Sequence, residues 1–444
     1  MSRDLPVISV IIPTHNRCSS LQRLLQSLEK QTYPLENLEV IVVADGCHDK
    51  TMKMLETYKA PYQMNIIAQP GLGAATARNK GAEYATGAIL IFLDDDTEPS
   101  QGLVEAHSQA HDNTQNNVVI GYLPPKLNGK SSFFHNNLRA WWYEKFYLLS
   151  LPEHRFTYED LLSGNFSLPR SLFNKIGGFN TRFPCREDYE LGARLIKGGT
   201  DFYFVKNAMA YHRDTVTDLD RSLIRKRQEG GGDVMFGRCH PDLMHQLRLS
   251  HFDDAVPWRR KTTLNLIFRF SGFFDVIAAG LRLLLTFYEQ FRMRGHWQRL
   301  YNKLLTYWYI RGIVDEFSSY PAFLNYLQGG ILHTSNKRIV ITVDLEQGLP
   351  EAERLLDLHR PDSVILYWGE LPVGVLPYKQ GVERYRSPHL RPVLKKNFAL
   401  NLLQLISIDF ARRDEIISEN SHRGVPYPSH HGTDVHGIED IPYY

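Results

Sequence analysis

Three carboxylates stand side by side at Asp94, Asp95 and Asp96, directly after the apolar run Ala88–Leu93. Adjacent carboxylates repel one another unless a cation offsets them. A hard divalent ion held by one or two carboxylates and by substrate phosphates is the usual solution. Taken alone the triplet also reads as a solvated acidic turn. Two other apolar runs end on polar clusters. Val7–Ile12 ends at Pro13 and leads into Thr14, His15, Asn16 and Arg17; Leu38–Ala44 leads into Asp45 and Gly46. A further carboxylate, Asp188, follows Pro184-Cys185-Arg186-Glu187 and opens a helical pattern carrying Leu191, Leu195 and Ile196. It suits a general base, though an acid in a first helical turn is also an ordinary stabilising feature. His212, after a strand candidate, is a metal or diphosphate partner or a satisfied structural histidine.

These residues need a scaffold that gathers strand ends. Continuous apolar runs suit strands buried on both faces. Helical patterns separate them: Leu21, Leu24, Leu25 and Leu28, then Met52, Leu55 and Tyr58. The alternation predicts an α/β fold, an open and mostly parallel Rossmann-like sheet flanked by helices, with its ligand beyond the carboxyl ends of the strands. Residues 65–68, 118–123, 164–168 and 202–205 read as further strands. Gly71-Leu72-Gly73 follows Pro70 rather than a clear strand and lacks the third glycine, so it is a poor dinucleotide fingerprint.

Further along, Phe133–Leu149 is aromatic, with Trp141 and Trp142 reading as core or as a wall of a sugar site. Arg225, Lys226 and Arg227 precede Gly230-Gly231-Gly232; this reads either as a mobile loop closing over a diphosphate or as a solvated basic helix end. Residues 258–328 are helical in pattern. Within them Phe270, Phe273, Phe274, Ile277, Leu281, Leu284, Tyr288 and Phe291 recur at three and four residues, while Asp275, Arg282 and Glu289 share another face. Basic residues flank that stripe, which predicts either a membrane-interfacial helix or a helix packed on the catalytic domain. The organisation expected is a catalytic domain over 1–245, a helical and membrane-interfacial segment over 246–335, a small α/β module over 336–415, and a polar tail over 416–444, disordered in expectation. The tail holds His422, His430, His431 and His436.

The ordered set Pro13-Thr14-His15-Asn16-Arg17, Ala44-Asp45-Gly46, Gly73 through Ala77-Arg78-Asn79-Lys80-Gly81, Leu93-Asp94-Asp95-Asp96, Gly164-Asn165-Phe166-Ser167 with Gly177-Gly178-Phe179, Glu187-Asp188-Tyr189-Glu190-Leu191 and His212 resembles the motifs of family 2 glycosyltransferases with a GT-A fold. The resemblance covers roughly residues 7 to 240. It implies an inverting transfer from a nucleotide-diphosphate sugar, with UDP as the expected nucleotide, assisted by Mg²⁺ or Mn²⁺. It implies donor binding by Pro13, Thr14, His15, Asn16, Arg17, Asp45, Arg78, Asp94 and Asp95. Asp96 and His212 would hold the metal, and Asp188 would be the base. Where the family often has two acids before the glycine, the first is Ala44 here, which weakens the case for uridine. The acceptor implied is a glycan, a lipid-linked sugar or another glycoconjugate.

Composition sets the outer limits. With 51 basic and 49 acidic residues among 444, no global charge favours nucleic acid. Charged residues at 23% and hydrophobic residues at 43% describe an ordinary globular chain. Four cysteines without a C-x-x-C spacing fit reduced thiols, and no leader-like segment precedes Val7. The expected location is therefore the cytoplasm, with peripheral attachment to the inner membrane face. Two rival readings remain: a nucleotidyltransferase, which would carry a G-x-G-x-R loop after its first strand, and a non-catalytic sugar-nucleotide-binding or scaffold protein.

Overall fold

The computed structural model describes residues 5–112, 116–126, 132–213, 218–252, 257–329 and 338–421, with side chains through 413. The tail histidines lie outside these residues. The acid-bearing runs become strands as their burial demands. β1 (Ile8–Thr14), β2 (Leu38–Asp45) and β4 (Ile89–Leu93) are buried along their whole length, and β3 (Gln63–Gln69) lies at the edge. β5 (Thr97–Pro99), β6 (Asn117–Tyr122), β7 (Pro125–Lys126), β8 (Asn165–Pro169) and β9 (Asp201–Arg213) complete a nine-stranded sheet among the described residues.

The sheet order is β3-β2-β1-β4-β8-β6-β9-β5, with β7 also on β9. The first four strands are parallel, as expected; β8 then runs antiparallel to both β4 and β6. The sheet is thus mixed, and the expected open parallel sheet holds for its first half. Parallel pairing β3-β2-β1-β4 brings the ends at Gln69, Asp45, Thr14 and Leu93 to one edge. Helices α1 (Cys18–Leu28), α2 (Thr51–Thr57), α3 (Ala74–Tyr84) and α4 (Leu103–Gln109) connect this half. Phe133–Leu149 is α5, and α6 (Arg170–Ile176), α7 (Glu187–Lys197) and α8 (Leu219–Cys239) follow.

The glycine triplet corrects the loop reading. Gly230, Gly231 and Gly232 lie inside α8, not in a closing loop. A Cβ at Gly230 would fall 2.0 Å from the Tyr309 carbonyl oxygen, and one at Gly312 would fall 1.9 Å from the Arg227 carbonyl oxygen. The glycines let two helix backbones touch. The second of these helices is α11, after α9 (Trp258–Arg269) and α10 (Ser271–Gln290); α11 spans Arg294–Glu316 and α12 spans Tyr320–Gly329.

A three-stranded sheet of β10 (Val340–Asp344), β11 (Ser363–Trp368) and β12 (Leu371–Leu376) forms a separate apolar core with α13 (Leu349–His359), α14 (Ser387–Val393) and α15 (Ala399–Ser421). Gly369 and Glu370 connect β11 to β12, and α15 runs on past residue 415. This unit is latched to the larger sheet by buried charge. Glu383 accepts from the Phe156 amide at 3.0 Å, His389 Nε2 at 3.1 Å and Arg386 Nη2 at 3.1 Å, and Arg386 also donates to the Phe202 carbonyl of β9.

Candidate active site

The end of β1 meets the end of β4 through direct bonds. Thr14 Oγ1 donates to Asp95 Oδ2 at 2.7 Å, and Arg17 Nη1 reaches Asp95 Oδ1 at 2.8 Å and Asp96 Oδ2 at 2.6 Å. Arg17 is therefore a built-in counterion to the triplet in the free chain. His15 Nδ1 lies 2.5 Å from the Asp45 carbonyl oxygen, and Asn16 holds positive φ of 53° beside it. Asn16 Oδ1 accepts from the His48 amide at 2.7 Å, tying the β1 turn to the β2 turn. A cleft of about 670 Å³ opens over this turn, lined by His15, Asn16, Arg17, Cys18, Ser19, Ser20, Asp49 and Arg221.

Asp45 faces the neighbouring turn. Its Oδ1 accepts from Gln69 Nε2 at 2.8 Å and the Leu72 amide at 2.7 Å, and its Oδ2 accepts from the Gly73 amide at 2.8 Å. In the free chain Asp45 thus fixes the Gly71-Leu72-Gly73 turn. Gly46 permits the crossing, because a Cβ there would lie 2.7 Å from the Gly71 nitrogen and φ is +65°.

Arg78 is buried on α3 between two carboxylates. Nη2 reaches Asp94 Oδ1 at 2.8 Å and Nη1 reaches Glu187 Oε1 at 2.9 Å, with the guanidinium over the Phe179 ring. Burial alone would raise Asp94, but Arg78 outweighs it and holds the carboxyl below its ordinary value. Asp95 behaves oppositely: burial pushes it up to about 6 against the pull of Arg17, and Asp96 adds to the rise. Asn79, next to Arg78, grips the Phe179 backbone from both sides, at 2.8 Å each, so the glycine-glycine-phenylalanine motif is docked on α3. The Asp94 amide donates to the Gly164 carbonyl oxygen at 3.2 Å, and a Cβ at Gly164 would sit 3.0 Å from Asp94 Oδ2.

Asp96 and His212 are 116 residues apart and meet through strand register. Thr97 of β5 pairs with His212 of β9, and the Arg213 amide donates to the Asp96 carbonyl at 3.1 Å. His212 Nε2 lies 3.7 Å from Asp96 Oδ1, beyond hydrogen-bond distance. Asp96 Oδ1 and His212 Nδ1 are buried without a hydrogen-bond partner. Trp142 of α5 packs against the His212 ring, centroids 5.3 Å apart. Among the described residues no three His, Cys, Asp or Glu side chains form a ready metal cage. Two protein donors with an unused carboxylate oxygen suit an ion whose remaining ligands come from phosphate and water.

Asp188 is half-buried in the first turn of α7. Arg186 sets up that turn in the left-handed region, φ 72°, anchored through Nε on Asp233 at 3.0 Å and through Nη2 on Glu229 at 3.3 Å. Burial first, then Glu187, pushes Asp188 up to about 6; Arg225, Arg186 and the Tyr189 amide pull the other way. Burial pushes the neighbouring Cys185 thiol up to about 12, so it stays protonated.

The sequence-predicted residues thus fall into three linked groups. Thr14 and Arg17 join Asp95 and Asp96; Asp96 approaches His212; and Arg78 joins Asp94 to Glu187, next to Asp188. Pro13 sits within buried β1. Sequence reasoning gave no role to Gln69, Asn79 or Gly164. Glu187 was visible only as the neighbour of Asp188. The bonds that define these residues span 24 to 109 positions, and no local pattern encodes them.

Residues 9–177 match the family described as Glycosyl transferase family 2, a segment that stops short of Asp188 and His212. A validoxylamine A glucosyltransferase of Streptomyces hygroscopicus subsp. jinggangensis is 33% identical over 220 residues, 43% of this chain and 51% of the relative. Glycosyltransferase AglE of Haloferax volcanii is 38% identical over 107 residues, 24% of this chain and 35% of AglE. The chain thus spans about half or less of these curated relatives. A solved structure, the mannosyltransferase PcManGT of Pyrobaculum calidifontis in complex with GDP-Man and Mn²⁺, superposes with a TM-score of 0.46 at 17% identity, covering 70% of this chain and 88% of PcManGT.

Proposed function

We propose that this chain, whose residues 9–177 match glycosyl transferase family 2, transfers a sugar from a nucleotide-diphosphate donor to a hydroxyl acceptor with inversion, using Asp188 as base. The observation that carries this reading is Arg78, buried between Asp94 at the end of β4 and Glu187 at the start of α7. One side chain thereby links the acidic strand end to the helix turn bearing Asp188.

The roles follow from the chemistry each group can do. Asp188, with its carboxyl near pH 6, is mostly ionised at neutral pH and accepts a proton from an acceptor hydroxyl. A single displacement on one face of the sugar inverts the anomeric carbon. Asp96 and His212 would hold a divalent ion, supported by the unused Asp96 Oδ1; bound there, it would offset charge on a leaving diphosphate. Arg17 lies against the same carboxylates and either moves to the phosphates or shares the acids with the ion. The His15–Arg17 cleft is where a nucleotide would enter. A uridine diphosphate sugar is the proposed donor and a glycan or glycoconjugate the proposed acceptor.

The test is a screen of nucleotide sugars for slow hydrolysis and for transfer, with the anomeric configuration of the product read by NMR. Release of the nucleoside diphosphate with an inverted product supports the reading. A retained configuration contradicts the single displacement. Binding of a nucleotide sugar with no turnover on any donor favours a non-catalytic binder.

A further inference from the structure

α10 is an amphipathic helix turned inside out. Asp275, Arg282 and Glu289 recur every seven residues on one face, and that face points into the protein. Asp275 accepts from Tyr307 Oη at 2.5 Å and from Arg311 Nε at 3.2 Å. Arg282 makes a two-pronged pair with Asp220 of α8 at 2.6 and 2.9 Å, and Glu289 Oε1 accepts from the Phe133 amide of α5 at 2.7 Å. Ala278 and Leu285 are buried beside these charges and Phe274 and Tyr288 pack on the core, while the other apolar residues point away: Phe273 is 66% exposed, Val276 72% and Leu283 70%, with Ile277, Phe287 and Phe291 also exposed. A contiguous apolar face of this kind marks an interaction surface.

The charge around the face identifies its occupant. Between residues 257 and 296 the two acids are Asp275 and Glu289, both turned inward. Arg259, Arg260, Arg269, Arg292 and Arg294 are exposed before and after the stripe. A second copy of this face would set arginine-rich ends against each other in either orientation. An anionic lipid surface satisfies the apolar face and the cationic ends together. By length and composition α10 could also cross a bilayer, but spanning would strip all three inner charges of the partners just described, at several kcal/mol on insertion scales in general.

We propose that α10 and its basic flanks form an in-plane membrane-binding face for anionic lipid. The same helix holds two elements near the candidate site: Asp220, next to the cleft-lining Arg221, and the start of α5, whose Trp142 packs on His212. Docking would therefore set the cleft beside the lipid surface. The proposal stands on the helix and not on the reaction.

The experiment is co-sedimentation of the full chain with phosphatidylcholine vesicles, with and without phosphatidylglycerol, beside light scattering for mass and thermal unfolding for integrity. The wild type should pellet with the anionic vesicles and be released by high salt. Phe273→Glu with Leu283→Glu should cut partition by roughly tenfold or more at an unchanged Tm. Arg292→Glu with Arg294→Glu should weaken binding to the anionic vesicles selectively. The proposal is overturned if the wild type stays in the supernatant, if the Phe273/Leu283 variant unfolds or still pellets, if that variant dissociates a dimer, or if cell membranes release the protein only to detergent.

Discussion

Two clusters of buried charge lie at opposite ends of the sheet's neighbourhood, and they are built differently. At the latch near residue 383, both Glu383 oxygens are occupied, by the Phe156 amide, His389 and Arg386. Burial alone would raise Glu383, yet His389 and Arg386 hold it below its ordinary value. At the strand ends the triplet is only partly served. Asp95 is driven up to about 6, and Asp96 keeps an oxygen with no partner. A buried carboxylate with both oxygens bonded, as in Glu383, stabilises the assembly of two layers; one with an unused oxygen, as in Asp96, waits for something to bind. This distinction separates structure from site more cleanly than burial, which both clusters share.

The comparison breaks most sharply through single substitutions with opposite readouts. Asp188→Asn should lower turnover by roughly 10²–10⁴-fold, the usual span for a general base. Stability should hold or rise. The folded carboxyl titrates near 6, above its unfolded value, so its ionised form is the disfavoured one in the fold at neutral pH, and a neutral isostere removes that cost. Near wild-type transfer would move the base elsewhere, Glu187 first.

Glu383→Ala should do the reverse, lowering stability by about 3–5 kcal/mol by stranding Arg386, with the chemistry altered only through unfolding. Since the folded pKa of Glu383 is depressed, its contribution is present above the unfolded value and fades as pH falls through the folded one. Urea unfolding at neutral and acid pH checks both statements; an activity loss with no change in midpoint would erase the contrast.

Smaller effects sharpen the same picture. The rate should fall tenfold per pH unit below about 6 as Asp188 takes up its proton, and that limb should vanish in the residual activity of Asp188→Asn. Arg78→Lys keeps the charge but cannot span Asp94 and Glu187 with a planar fork. It should cost about tenfold in kcat, or 1.4 kcal/mol, a deficit that steady-state kinetics would resolve.

Much of the scaffold was legible in the chain. β1, β2 and β4 announced themselves as unbroken apolar runs because a strand covered on both faces leaves no polar alternation. Their polar ends share one edge of the sheet, as the runs imply. The antiparallel insertion of β8 was not legible, since its run looks like the others. The glycines at 230–232 left a loop and a helix end both open, because the backbone they accommodate, at Tyr309, lies 79 residues away. In α10 the period separated charged from apolar faces, but only the partners Asp220, Tyr307 and Phe133 reveal which face points outward.

The most direct test of the central claim is calorimetric titration of a nucleotide sugar, with Mn²⁺ and with chelator, into the wild type and into Asp96→Asn. The account predicts metal-dependent donor binding that Asp96→Asn loses while its Tm stays within a few degrees of wild type. Equal donor binding in chelator, or a collapse in Tm like that expected of Glu383→Ala, would show that the acid triplet is a structural cluster and contradict the account.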